Sequence, residues 1–197
     1  MRLLALIADL DGTLFTLGTD WTLLKKKLSL FSKKYGFHSA FTHLDPEVEK
    51  FIAFLHGSFD QKKASSIKSA LYKMILKEEL EGVPSGKEVK GATELLDKLH
   101  PRNIKLGVVS GNSRKTVAGV IKKMDWKVDA IIGREDTSKA KPDSQGVIKC
   151  LAKLKVAPDK CWAVGNRQKD IDAYMGAGIS KTFLLGKDIT KLSQIYE

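Results

Sequence analysis

The chain has 197 residues, 43% of them hydrophobic, which suits one well-filled core or one domain carrying a smaller inserted module and excludes a disordered chain. Its 34 basic and 23 acidic residues give a formal net charge of +11, which favours anionic partners such as phosphate esters, nucleic acid or acidic lipid, although most lysines are spread along helical stretches where they solvate outer faces. No apolar run is long enough to cross a membrane, and residues 3–8 are too short for a signal-peptide core, so a cytoplasmic location is expected.

The first predicted element is a buried strand over residues 3–8, and it runs into Asp9-Leu10-Asp11-Gly12-Thr13. On a strand, carboxylates two positions apart share a face and repel each other. The glycine after them lets the chain turn away. A hard cation with an incoming phosphate would offset the repulsion, because Mg2+ prefers carboxylate and carbonyl oxygens. Strand ends are also where open α/β sheets bind ligands. An acidic turn after an edge strand is the plain structural alternative.

The next stretch, to about residue 84, reads as helical throughout. Residues 21–35 carry Trp21, Leu24, Leu28 and Phe31 at helical spacing, with Gly36 as a stop. Asp45-Pro46-Glu47 predicts a helix start with Asp45 as cap and Pro46 at the first helical position. Ser58 and Gln61 have the spacing of a capping box opening a long helix to about Leu80, with Ile67, Leu71, Met74 and Ile75 as its apolar face. Gly82, Pro84, Ser85 and Gly86 then mark a return linker. Such an insert after the first strand is expected to sit over the end of that strand.

From there strands and helices alternate. Strands are expected at 105–109, 130–132, 162–164 and 182–185, with helices at 94–99, 115–124, 145–154 and 171–175. Pro101 stops the first helix, and Gly176 and Gly178 end the last. This rhythm predicts a parallel sheet covered on both faces. Cys150 and Cys161 lack metal-ligand or redox spacing, so buried free thiols are expected.

Three further strand ends carry polar residues suited to phosphate chemistry. Ser110-Gly111-Asn112 can offer a hydroxyl and backbone N–H groups to a phosphate. Lys141-Pro142-Asp143 precedes a helix, with Pro142 expected at its first position, and a lysine pinned there can neutralise charge on an attacked phosphoryl group. In Gly165-Asn166-Arg167-Gln168-Lys169-Asp170, the oxygens of Asn166 and Asp170 can complete a Mg2+ shell. Each has a plain alternative: an ordinary turn, one lysine among many, a capped helix start.

Taken in order, DLDGT, VVSGN, the lysine of KPD and VGNRQKDIDAYMGAG resemble the haloacid dehalogenase-like superfamily, and within it the phosphoglycolate-phosphatase-like phosphatases with a helical cap between the first two motifs. The runs VKGATELLDKL and GREDTSKAKPD are similar too, and the resemblance covers nearly the whole chain. It implies a Rossmann-like three-layer α/β/α core with a five-stranded parallel sheet at residues 1–15 and 85–197, and a helical cap domain at 16–84. It also implies a Mg2+-dependent phosphatase acting on a small phosphomonoester of phosphoglycolate or sugar-phosphate type.

By that resemblance Asp9 is the nucleophile that forms an aspartyl-phosphate, and Asp11 protonates the leaving oxygen and later activates water. Ser110 and Lys141 complete the catalytic set, with Thr13, Gly111 and Asn112 binding phosphate. Asp9, Asp11, Asn166 and Asp170 hold the Mg2+. One departure stands out: the family usually has Asp where this chain has Asn166, an amide that brings no negative charge. Asn there is similar to the 2-haloacid dehalogenase branch, but Asp11 argues against it, since carbon–chlorine cleavage needs no acid. A catalytically weak phosphoester-binding relative, motivated by Asn166, and a nucleic-acid-binding protein, motivated by the net charge, remain alternatives. No nucleic-acid motif or aromatic–basic platform supports the latter. The expected partner is a small phosphorylated metabolite, met by a monomer or homodimer. Arg114 is placed as a surface residue with a second possible role in binding a substrate anion.

Overall fold

The computed structural model describes residues 2–196. It divides into two compact units, residues 1–18 with 83–197 and residues 19–82.

In the first unit, β1 (Ala5–Ala8), β4 (Lys105–Val109), β5 (Ala130–Ile132), β6 (Cys161–Gly165) and β7 (Lys181–Leu184) form one parallel sheet in the order β5-β4-β1-β6-β7. The run in β1 is continuously apolar because this central strand is buried on both faces. Strand order reverses at β1, so its C-terminal end lies at the switch point of the sheet, next to the ends of β4 and β6. Helices α6 (Gln145–Leu154) and α7 (Gln168–Gly176) bury Val147, Cys150, Leu151, Ile171 and Tyr174 against Ala5, Ile7 and Ala163 on one face. Helices α4 (Ala92–Leu99) and α5 (Arg114–Met124) bury Leu95, Leu96, Val117 and Val120 on the other side. Both cysteines are free and buried, and burial pushes each thiol up to about 12.

The chain leaves this unit through β2 (Phe15–Thr16) and returns through β3 (Lys87–Glu88), two short antiparallel strands absent from the expected elements. Their pairing keeps residues 15–18 with the first unit, so the division falls at Gly18 and Val83 rather than at 15 and 85. The Lys123 ammonium, at the end of α5, donates to the carbonyls of Val83, Pro84 and Gly86 at 3.0, 2.7 and 2.8 Å and so holds the return linker.

The second unit contains α1 (Trp21–Lys33), α2 (Leu44–Ser58) and α3 (Gln61–Gly82). Leu24, Leu28, Phe51, Leu55, Ile67, Leu71 and Ile75 form its core, with Trp21, Met74 and a group of Phe and Tyr rings packed against it. Asp20 caps α1 by accepting the Leu23 N–H at 2.8 Å. Two helix starts differ from expectation. Helix α2 begins at Leu44, before Asp45, because the Glu47 carboxylate accepts the His43 N–H at 2.9 Å and sets the first turn two residues earlier. Pro46 still falls in that turn, where N–H groups have no intrahelical acceptor. Ser58 is the last residue of α2 rather than part of a capping box, and Asp60 caps α3 by accepting the Lys63 N–H at 2.9 Å. Among the described residues no helix is long and apolar enough to cross a membrane.

Candidate active site

Asp9 follows β1 directly. Its N–H donates to the Val164 carbonyl at 3.1 Å, which extends the β1–β6 ladder by one residue and holds Asp9 at the strand end. The following turn is tight. Gly12 has φ +83°, in the left-handed region that a side chain resists, and the N–H groups of Thr13, Leu14 and Phe15 all donate to the Leu10 carbonyl. Asp9 is buried, and Thr13 beneath the turn has no exposed surface.

Lys141 reaches this strand end from the segment before α6. Its ammonium donates to Asp9 Oδ1 at 2.7 Å and to the Val109 carbonyl, the last residue of β4, at 3.1 Å. It also lies 2.6 Å from Asp170 Oδ1. That oxygen is buried and has no well-aligned hydrogen-bond donor, so its contact with Lys141 is an ion pair rather than a directed bond. Burial opposes charge on the Asp9 carboxyl, and the Asp170 charge adds to this. Together they outweigh Lys141 and hold Asp9 above the ordinary carboxylate range. Burial also works against the Lys141 ammonium, but two carboxylates more than offset it and keep its pKa above the ordinary lysine value. Pro142 is not at the start of α6 as expected. It follows Lys141 through a cis peptide, Asp143 Oδ1 accepts the Gln145 N–H at 2.8 Å, and the helix begins at Gln145.

Asp170 occupies the third position of α7, and its Oδ2 accepts the Arg167 N–H at 3.1 Å. The plain reading of Asp170 as a helix-start residue therefore holds together with its place beside Lys141. Gly165 allows this approach, since a methyl group there would lie 2.4 Å from Asp170 Cβ. Asn166 turns back toward the first motif, and its Oδ1 accepts the Thr13 hydroxyl at 3.3 Å.

The Ser110 hydroxyl donates to Asn112 Oδ1 at 2.9 Å and accepts the Asn112 N–H at 3.1 Å, so the two buried residues close a small turn with Gly111 exposed at its tip. Asp11 Oδ1 accepts the Leu17 N–H at 2.9 Å, which ties it to the segment that follows the turn. Hydrogen bonds and contacts thus join Asp9, Thr13, Lys141, Asn166 and Asp170 directly. Ser110 and Asn112 form their own turn at the end of the neighbouring β4. Arg114 is engaged within the protein, with its guanidinium paired to Asp136 and its N–H donated to Glu135 Oε2 at 3.0 Å.

Two residues of the site were not singled out in the sequence. Tyr174, fully buried, donates its hydroxyl at 2.9 Å to the Val164 carbonyl that also receives the Asp9 N–H. Its spacing of four from Asp170 places both on one face of α7, which is the signal that points to it. Arg134 lies just past the end of β5 and binds the Ser110–Asn112 turn; its place at a strand end is the corresponding signal.

The family model for haloacid dehalogenase-like hydrolases matches residues 6–183. The chain is 26% identical to the pyrophosphatase PpaX of Anoxybacillus flavithermus over 200 residues, covering 90% of this chain and 81% of that protein. Among solved structures it is similar to β-phosphoglucomutase from Clostridium difficile, with a TM-score of 0.68, 19% identity, and coverage of 94% of this chain and 86% of that one. It is also similar to a predicted phosphoglycolate phosphatase from Haemophilus somnus, with a TM-score of 0.60, 17% identity, and coverage of 94% and 85%.

Proposed function

The chain belongs to the haloacid dehalogenase-like hydrolase family, and from that premise we propose that it is a Mg2+-dependent phosphatase of small phosphomonoesters that works through an aspartyl-phosphate at Asp9. The observation that carries this reading is the buried Asp9–Lys141–Asp170 group at the switch point of the sheet.

Lys141 binds Asp9 Oδ1, whereas Oδ2 has the Thr13 hydroxyl at 3.5 Å, so Oδ2 is the oxygen left to attack phosphorus. Attack forms the Asp9–phosphorus bond, and the phosphorus–oxygen bond to the leaving group breaks. Asp11 gives its proton to that oxygen, then takes one from the water that hydrolyses the intermediate. The Lys141 ammonium offsets charge growing on the phosphoryl oxygens. Ser110 and the backbone after it bind those oxygens at the end of β4.

Asp9, Asp170, the Asn166 amide oxygen and the backbone carbonyl of Asp11 are the groups that would hold Mg2+. They fit it: every donor is a hard oxygen, and Asp170 Oδ1 is buried without an aligned donor. The ion would supply charge neutralisation to the phosphoryl group.

The test is orthophosphate release from a panel of phosphoglycolate, sugar phosphates and inorganic pyrophosphate, with and without Mg2+, by the protein and its Asp9→Asn variant. Pyrophosphate is included because of the relative from Anoxybacillus flavithermus. Mg2+-dependent release that disappears in the variant is expected. Release that survives the variant overturns the nucleophile, and no release from any ester by the folded protein overturns the phosphatase reading.

A further inference from the structure

Arg134 opens the short turn Arg134–Asp136 that follows β5. Its backbone N–H donates to the Asn112 carbonyl at 2.9 Å, and its Nε donates to the Gly111 carbonyl at 2.9 Å. One residue thereby holds two consecutive peptide groups of the turn after Ser110. In a trans peptide the N–H points opposite the C=O, so fixing these carbonyls also fixes the N–H groups of Asn112 and Ser113. The first of these lies 3.1 Å from Ser110 Oγ.

Arg134 is itself well anchored. A methyl group at Gly133 would lie 2.4 Å from the Arg114 backbone nitrogen, so the turns after β4 and β5 are in close contact. Asp136 Oδ2 accepts the Gly133 N–H at 2.8 Å, and Asp136 pairs with the Arg114 guanidinium. Glu135 Oε2 accepts the Arg114 N–H. On its other side Gly111 borders open space.

We propose that Arg134 is a positioning residue for phosphoryl binding: by gripping the Gly111 and Asn112 carbonyls it holds the Ser110–Asn112 turn where its hydroxyl and N–H donors can exchange their bonds within the turn for phosphoryl oxygens. This rests on the phosphatase reading. Arg134 does not touch the reacting atoms and acts through the turn it holds. The backbone N–H to Asn112 is kept in any variant; for the side chain's bond to Gly111 a lysine can supply a donor but not the fixed geometry of a guanidinium.

The experiment compares wild type, Arg134→Ala and Arg134→Lys by amide hydrogen exchange over residues 110–114, orthophosphate affinity by calorimetry, kcat and KM, and melting temperature. Arg134→Ala is expected to exchange faster over 110–114. It should bind orthophosphate about tenfold more weakly and raise KM by about the same factor, the size of one lost charge-assisted hydrogen bond, with a smaller change in kcat. Arg134→Lys should recover part of both effects, and both variants should melt close to wild type. Unchanged exchange and orthophosphate affinity in Arg134→Ala overturn the proposal. So does a lowered melting temperature with KM unchanged, which is the mark of a purely structural residue. If wild type neither hydrolyses esters nor binds orthophosphate, the phosphatase reading fails, and exchange over 110–114 still decides whether Arg134 holds the turn.

Discussion

Gly12 and Asn166 pack so closely that a methyl group on Gly12 would lie 2.3 Å from Asn166 Nδ2. The turn after β1 and the loop after β6 are therefore fitted to each other, and the residue at 166 sits against the turn that carries Asp9 and Asp11. An aspartate is nearly the same size as asparagine and would add a negative charge at this place. Asn166→Asp is expected to lower the Mg2+ concentration needed for half-maximal phosphate release by about tenfold, the scale of one added charge-assisted contact. A Mg2+ titration of both proteins checks this, and an unchanged midpoint would remove Asn166 from the proposed ligands.

Asp9→Asn should abolish turnover and yet make the metal-free fold more stable at neutral pH. Burial and Asp170 hold the Asp9 pKa above the ordinary value of 3.8 despite Lys141. The stability linked to this group is fully present below 3.8, where Asp9 is protonated in both states, and is lost as pH rises through the higher folded value. At neutral pH the buried carboxyl therefore costs stability, and asparagine avoids that cost while leaving Lys141 paired with Asp170. Thermal melts in EDTA should show the variant above wild type at pH 7 and the gap closing below about pH 4.

Removing the central cation acts in the opposite direction. Lys141→Met leaves Asp9 and Asp170 facing each other in a buried site without the ammonium that lies within 2.7 Å of both. Breaking a buried ion pair from one side costs about 3–5 kcal/mol. Urea unfolding of the variant at pH 7 should show a loss of that size, smaller near pH 4 as the Asp9 carboxyl, held above the ordinary carboxylate range, takes up its proton.

Lys123 tests the return linker. Lys123→Met removes a cationic donor from three backbone carbonyls and keeps most of the side-chain volume. The expected loss is about 1–2 kcal/mol, since the freed carbonyls regain water at this partly exposed place. Urea unfolding gives the magnitude, and faster amide exchange confined to residues near 83–88 would localise it.

Much of the fold was legible because it is written in local pattern. Strand Lys105–Val109, strand Ala130–Ile132 and helix Gln145–Leu154 occur at their expected bounds, since apolar runs and helical spacing there end at Gly, Pro or polar turns. The acidic motif after an apolar strand was legible for the same reason. Helix starts were less so. At His43 and Asp60 the capping contact depends on which of several nearby polar side chains reaches a free N–H, and sequence spacing permits more than one answer. The two-residue pair Phe15–Thr16 with Lys87–Glu88 is too short to leave any periodic signal.

What the sequence determined by itself was the main inventory: the five strands of the large sheet, the longer helices, and which polar residues stand at strand ends. The tertiary structure decided how that inventory meets. Lys141 binds Asp9 across 132 residues, and Asn166 meets Thr13 across 153, because the sheet places β4 and β6 on either side of β1. It likewise decided that Asp170 faces Lys141 as well as capping α7, that Tyr174 braces the Val164 carbonyl, and that Arg134 holds the Ser110 turn. The physical reason is one of range. Periodicity, caps and turns arise from steric and hydrogen-bonding preferences a few residues long, whereas a buried charge is stabilised by partners that only strand order brings within reach.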